Sequence, residues 1–75
     1  MSHNPKNFIA SIEENEIKNI QEIAQKLSHK GCKVKDILSF TGVITGISSG
    51  EESSLEELKI KGIKYIEEDR EIRAI

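Results

Sequence analysis

Apolar and polar positions alternate first and then change period. In the stretch NFIASIE, Phe8, Ala10 and Ile12 point to one side and Ile9 and Ser11 to the other, which predicts a short strand. From Glu16 onward Ile17, Ile20, Ile23, Ala24 and Leu27 recur at three- and four-residue steps, one face of a helix over residues 16–30. Asn15 is the expected N-cap, with Glu16 in the first turn. Gly31 is the expected left-handed stop, with His29 and Lys30 at the negative end. In CKVKDILSF the residues Val34, Asp36, Leu38 and Phe40 alternate with Lys35, Ile37 and Ser39; the adjacent Ile37 and Leu38 leave the register open. Thr41-Gly42 reads as a turn and VITGIS as the returning strand, a hairpin that places Phe40 on a candidate central strand. The polar run SSGEES is a loop. Ser54 with Glu57 forms a capping-box pattern opening a short helix, with Leu55, Leu58 and Ile60 inward. Lys61-Gly62 ends it, and IKYIEED reads as the last strand.

The order strand, helix, strand, strand, helix, strand is the split βαβ plan. It predicts an α+β, ferredoxin-like βαββαβ fold, a four-stranded antiparallel sheet with two helices on one face. The expected layout is a loose lead over residues 1–6, a folded domain over 7–71 and an extended tail over 72–75. Many functions use such a fold, so function must come from particular residues.

Composition narrows the choice. With 75 residues and 36% hydrophobic positions, the chain can build one small core. Net charge is −2, from 11 basic and 13 acidic residues. Residues 1–38 are near +1 and the remainder near −3, so the acidic half suits a partner with positive or donor-rich spots. No basic patch is visible, and Phe8, Phe40 and Tyr65 are the only aromatics, thin equipment for stacking bases. No nucleic-acid partner is expected. The single Cys32 forms no internal disulfide and, lacking a paired thiol or a His at a suitable spacing, reads as a small core residue. His29 reads as a solvated helix-end residue. Gly42 and Gly46 match no phosphate-binding spacing and read as turn or close-packing positions.

The carboxylate pairs Glu13-Glu14, Glu51-Glu52, Glu56-Glu57 and Glu67-Glu68 suit a wet surface. Strand neighbours point to opposite faces, so Glu67 and Glu68 do not converge on a substrate. No enzyme activity, metal, cofactor, small-molecule substrate or membrane association is expected. The start MSHNPKNF has no apolar segment of a signal peptide, so the chain is expected in the cytoplasm unless a precursor or a leaderless export route exists.

The segment SLEELKIKGIKYIEEDREIRAI resembles the end of the pro-domains of subtilisin-like serine proteases: a short helix, a strand rich in Ile and Tyr, an acidic Glu-Glu-Asp and a small-apolar C-terminal tetrapeptide. NFIASIE, the long helix ending in Lys-Gly, and VKDILSF resemble the family in order and spacing, so the likeness spans residues 7–75. Its most specific part is KYIEED with the six residues that follow.

The resemblance implies a ferredoxin-like inhibitor of a subtilisin-like serine protease, similar to the family's free-standing members. It implies that Ile72, Arg73, Ala74 and Ile75 occupy the unprimed substrate pockets as a cleaved product does. Ile75 would fill the primary pocket, with its carboxylate by the catalytic serine and oxyanion donors. Ala74 would lie beside the catalytic histidine, Arg73 would point outward, and Ile72 would enter the apolar fourth pocket. Glu67 and Asp69 align with two acids that cap helix N-termini of the protease. The chain departs from the best-known bacterial members in ending on Ile rather than an aromatic residue or Leu. The alternative is a non-inhibitory protein–protein binding module on the same fold. Elementary chemistry agrees with the first reading: an extended tail adds a strand to a cleft, and carboxylates suit unpaired helix N–H groups.

Overall fold

The computed structural model describes residues 5–51 and 54–69. Strand β1, Asn7–Ile12, is followed by a 3-10 helix, Glu14–Asn19, that runs directly into helix α1, Ile20–His29. Strands β2, Lys33–Leu38, and β3, Val43–Ile47, form the hairpin. A single 3-10 turn, Leu55–Leu58, precedes strand β4, Ile63–Glu68. The strands form one antiparallel sheet in the order β2-β3-β1-β4, the ferredoxin-like topology with both helical segments on one face.

The first helix differs from its expected form over residues 16–30. Its opening turns are 3-10, and Asn15 does not cap it; no side-chain cap bond is made at Glu13 or at Asn19. In a 3-10 turn, residues three apart eclipse. Ile17 and Ile20 therefore stack on the same side, Ile20 in the core and Ile17 packed at its rim. The α-helical part buries Ile20, Ile23, Ala24 and Leu27, the stripe that the spacing predicts. Its end is a Schellman motif: the Cys32 N–H donates to Leu27 O at 3.2 Å, and the Gly31 N–H to Ser28 O at 3.0 Å. Gly31 has φ +99, which a side chain would resist. Cys32 and Leu27, brought together by this motif, are both buried.

Two β-bulges settle the registers that alternation leaves open. In the β2–β3 ladder Val34 pairs with Gly46 and Asp36 with Thr45, so Lys35 is the extra residue. Val34 and Ile37 thereby both reach the helical side, and Leu38 goes to the other face. In the β1–β4 ladder Ser11 pairs with Tyr65 and Ile12 with Ile63, leaving Lys64 extra. Ile63 and Ile66 both become buried for the same reason.

The core joins Phe8, Ala10 and Ile12 of β1, Ile44 of β3, Ile63 and Ile66 of β4, and the α1 stripe. Phe8, Leu27, Ile44 and Leu58 are fully buried. Each such side chain contributes about 1.5–3 kcal/mol of hydrophobic stabilisation. The second helix is shorter than the capping-box pattern predicts, one 3-10 turn whose Ser54 makes no side-chain cap bond. Leu58 still anchors it, with Leu55 and Ile60 packed at the core's rim. The expected stop at Lys61-Gly62 falls in a separate turn, closed by Ile63 N–H to Ile60 O at 3.1 Å.

The ladder reaches back past β1. The Lys6 N–H donates to Ser48 Oγ at 2.9 Å, and the Ser48 N–H returns to Lys6 O at 2.8 Å. The lead expected to be loose over residues 1–6 is thus tied down at Lys6.

Candidate functional site

With the helical segments on one side of the sheet, the other side stands open among the described residues. Its composition follows from the registers. One cross-strand row reads Leu38, Val43, Ser11, Tyr65; the next reads Asp36, Thr45, Ile9, Glu67; the third contains Lys33, Ile47 and Asn7. Ile9, Val43, Thr45 and Ile47 are half-buried by their neighbours in the sheet. Leu38 and Tyr65 are about half exposed, at 47% and 49%. The face is therefore partly apolar across its centre.

Glu67 and Asp69 both lie exposed at the β4 edge of this face. Glu67 sits opposite Ile9, whose side of β1 is the open one. Asp69 follows two residues later, and its N–H donates to Asn7 O at 2.7 Å, so the ladder holds its backbone in place. Side chains two apart on a strand share a face, which groups Tyr65, Glu67 and Asp69 along one border. The sheet thus brings the two predicted acids together, while Glu68 pairs with Phe8 and belongs to the helical side. The tail residues Ile72, Arg73, Ala74 and Ile75 lie outside the described residues.

Phe40 is not on a central strand. Strand β2 is an edge strand, and it ends at Leu38. Phe40 occupies the four-residue turn 39–42, closed by Gly42 N–H to Leu38 O at 2.8 Å. Its exposure is 103%, so it buries nothing against its own chain. The contributions of Leu38, Val43 and Ile9 to the open face escape a reading of the sequence because each depends on register. The adjacent Ile37 and Leu38 were the available signal: two consecutive apolar residues on an edge strand serve two faces.

Elsewhere the surface is plainer. A groove of about 380 Å³ runs between α1 and β2, with Ala24, Val34 and Ile37 along it and Gln21, Gln25 and Ser28 among its polar lining. Among the described residues no group of three His, Cys, Asp or Glu side chains gathers as metal ligands. No helix among the described residues is long and apolar enough to cross a membrane. His29 is exposed at the end of α1, and Cys32 is buried.

The chain matches no protein-family model, no curated protein and no solved structure. The likeness to subtilisin-like pro-domains stands on its motif residues alone.

Proposed function

We propose that the protein inhibits a subtilisin-like serine protease, its open sheet face against the enzyme and its C-terminal residues in the substrate cleft. The observation that carries this reading is the placing of Glu67 and Asp69. Both carboxylates stand at the free border of the last strand, Glu67 five and Asp69 three residues before Ile72, the first of the Ile72–Arg73–Ala74–Ile75 tetrapeptide. Unpaired N–H groups at a helix N-terminus attract such carboxylates, and two of them fix orientation as well as affinity. With the acids braced against the enzyme, the tail is held near the cleft instead of searching for it, which lowers the entropy cost of binding. There it pairs by backbone hydrogen bonds, while Ile72 and Ile75 fill apolar pockets.

The test is residual activity of several subtilisin-like proteases against increasing amounts of the intact chain and of a variant lacking residues 72–75. The intact chain is expected to inhibit at sub-micromolar concentration and the truncated one to fail. Absence of inhibition by the intact chain in the tens of micromolar rejects the reading. A non-inhibitory binding module is the second reading, favoured by the exposed apolar residues at the end of the sheet remote from Asp69. In that case the truncated chain retains its partner.

A further inference from the structure

Position 48 breaks the apolar pattern of its strand. Along β3 and the residue after it, Ile44, Gly46 and Ser48 are the buried positions, so the alternation carries the Ser48 side chain to the helical face, where the core lies. Ser48 is nonetheless polar, the buried polar side chain among the described residues at 5% exposure. A buried hydroxyl costs stability unless it is hydrogen-bonded. This one accepts from the Lys6 N–H at 2.9 Å, and the Ser48 N–H donates back to Lys6 O at 2.8 Å. The pair adds one rung to the β1–β3 ladder past Asn7 and Ile47. Its hydroxyl takes the place that a backbone carbonyl holds in a regular rung. An alanine would pack there as the serine does but would leave the Lys6 amide without this acceptor.

The rung bears on what lies across β1. Successive residues of a strand turn their backbone groups to opposite neighbours. Lys6 is bound on the β3 side, and Asn7 presents its carbonyl on the β4 side, where it accepts from the Asp69 N–H at 2.7 Å. The last paired register of the β1–β4 ladder is Phe8 with Glu68, so the backbone of Asp69 is held beyond it through Asn7. Asn7 stands at the very start of its strand, with Lys6 as its outer support. Were Lys6 to lift away from Ser48, the Asn7 carbonyl would lose its fixed direction and Asp69 would follow. Asp69 is joined to Ile72 by only Arg70 and Glu71, a reach of about 10 Å at full extension. A swing at Asp69 is therefore passed to the C-terminal tetrapeptide with little damping.

We propose that Ser48 is a positioning residue for the inhibitory end of the chain: through Lys6 and Asn7 it fixes the direction in which the chain leaves the sheet at Asp69. Being buried, it does not meet the protease itself. This rests on the inhibitor reading above and adds to it the internal contact that keeps the entropy cost of ordering the tail low. The effect does not depend on which residues fill the pockets, so it falls alike on every protease that the chain inhibits.

The experiment compares the intact chain with Ser48→Ala and Ser48→Thr by amide hydrogen exchange, thermal unfolding and inhibition of the protease panel. Ser48→Ala is expected to speed exchange at Lys6 and Asp69 about threefold to tenfold, the worth of one hydrogen bond, and to leave the amides of α1 and of the β2–β3 hairpin as in the parent. Inhibition is expected to weaken by a similar factor for each inhibited protease. Ser48→Thr keeps the hydroxyl and is expected to restore both. If exchange quickens at every ladder amide alike, Ser48 serves the fold alone and the proposal is overturned. A Ser48→Thr chain that melts with the parent yet exchanges as Ser48→Ala does overturns it as well. If Asp69 exchanges faster while inhibition is unchanged, the positioning role is overturned and the inhibitor reading stands without it. If the intact chain inhibits nothing, the inhibitor reading falls and the positioning role falls with it.

Discussion

Gly46 lies in β3 where two neighbours claim the space a side chain would need. A Cβ there would stand 2.5 Å from the Lys33 carbonyl oxygen and 3.0 Å from Phe8 Cζ. Phe8, its partner across the β1–β3 ladder, covers the gap and is itself fully buried. The constraint is steric, since the nearest atom belongs to the backbone of β2. Gly46→Ala is expected to cost about 1–3 kcal/mol by forcing the β2–β3 pair apart, read as a lower urea midpoint. The sequence identifies Gly46 as a turn or close-packing residue but not the ring that fills it. Phe40 shows the reverse case. Alternation extends through CKVKDILSF as far as Phe40, yet the chain turns after Leu38, because a four-residue loop places Val43 opposite Leu38. Pattern alone does not locate the last paired residue of a hairpin.

Among the elements, the 3-10 turn Leu55–Leu58 is the shortest, makes no side-chain cap bond, and has Leu58 as its buried residue. Leu58 is fully buried in the common core. Leu58→Ala is expected to lose about 2–5 kcal/mol. A domain of this size has a total stability of roughly 4–11 kcal/mol, so the variant should be largely unfolded at moderate urea where the parent is not. Retention of parental stability would mean that the turn contributes nothing to folding. The strand and helix order was legible because the apolar period switches cleanly at Glu16, at Gly31 and at Gly62. The extent of the helices was less so. A capping-box pair at Ser54 and Glu57 is compatible with one turn as well as with three. The bulges at Lys35 and Lys64 were not legible, since an extra residue changes no residue type and only the core decides which neighbour is expelled.

For the whole molecule, the helical segments cover one face of the sheet and, among the described residues, leave the other open, with its acids on one border and its exposed apolar residues at one end. The motif KYIEED singles out Glu67 and Asp69 in the sequence, and the sheet adds that Tyr65 shares their border. Neither carboxylate is buried, so neither supports the fold. The double variant Glu67→Gln, Asp69→Asn is therefore expected to unfold as the parent does. If these acids meet helix N–H groups of a protease, it should inhibit about tenfold to hundredfold more weakly, since charge-assisted hydrogen bonds are the stronger ones. An unchanged inhibition constant would remove the acids from the contact.

Both outermost strands, β2 and β4, carry an expelled lysine at their irregularity, Lys35 on one and Lys64 on the other. Unpaired strand margins are the places where proteins stitch themselves into filaments, and a kinked margin bearing a cation is a poor template for a further strand. The molecule can thus display a greasy, aromatic-bearing surface broadside while both of its lateral seams refuse company, which favours discrete complexes over open-ended assembly.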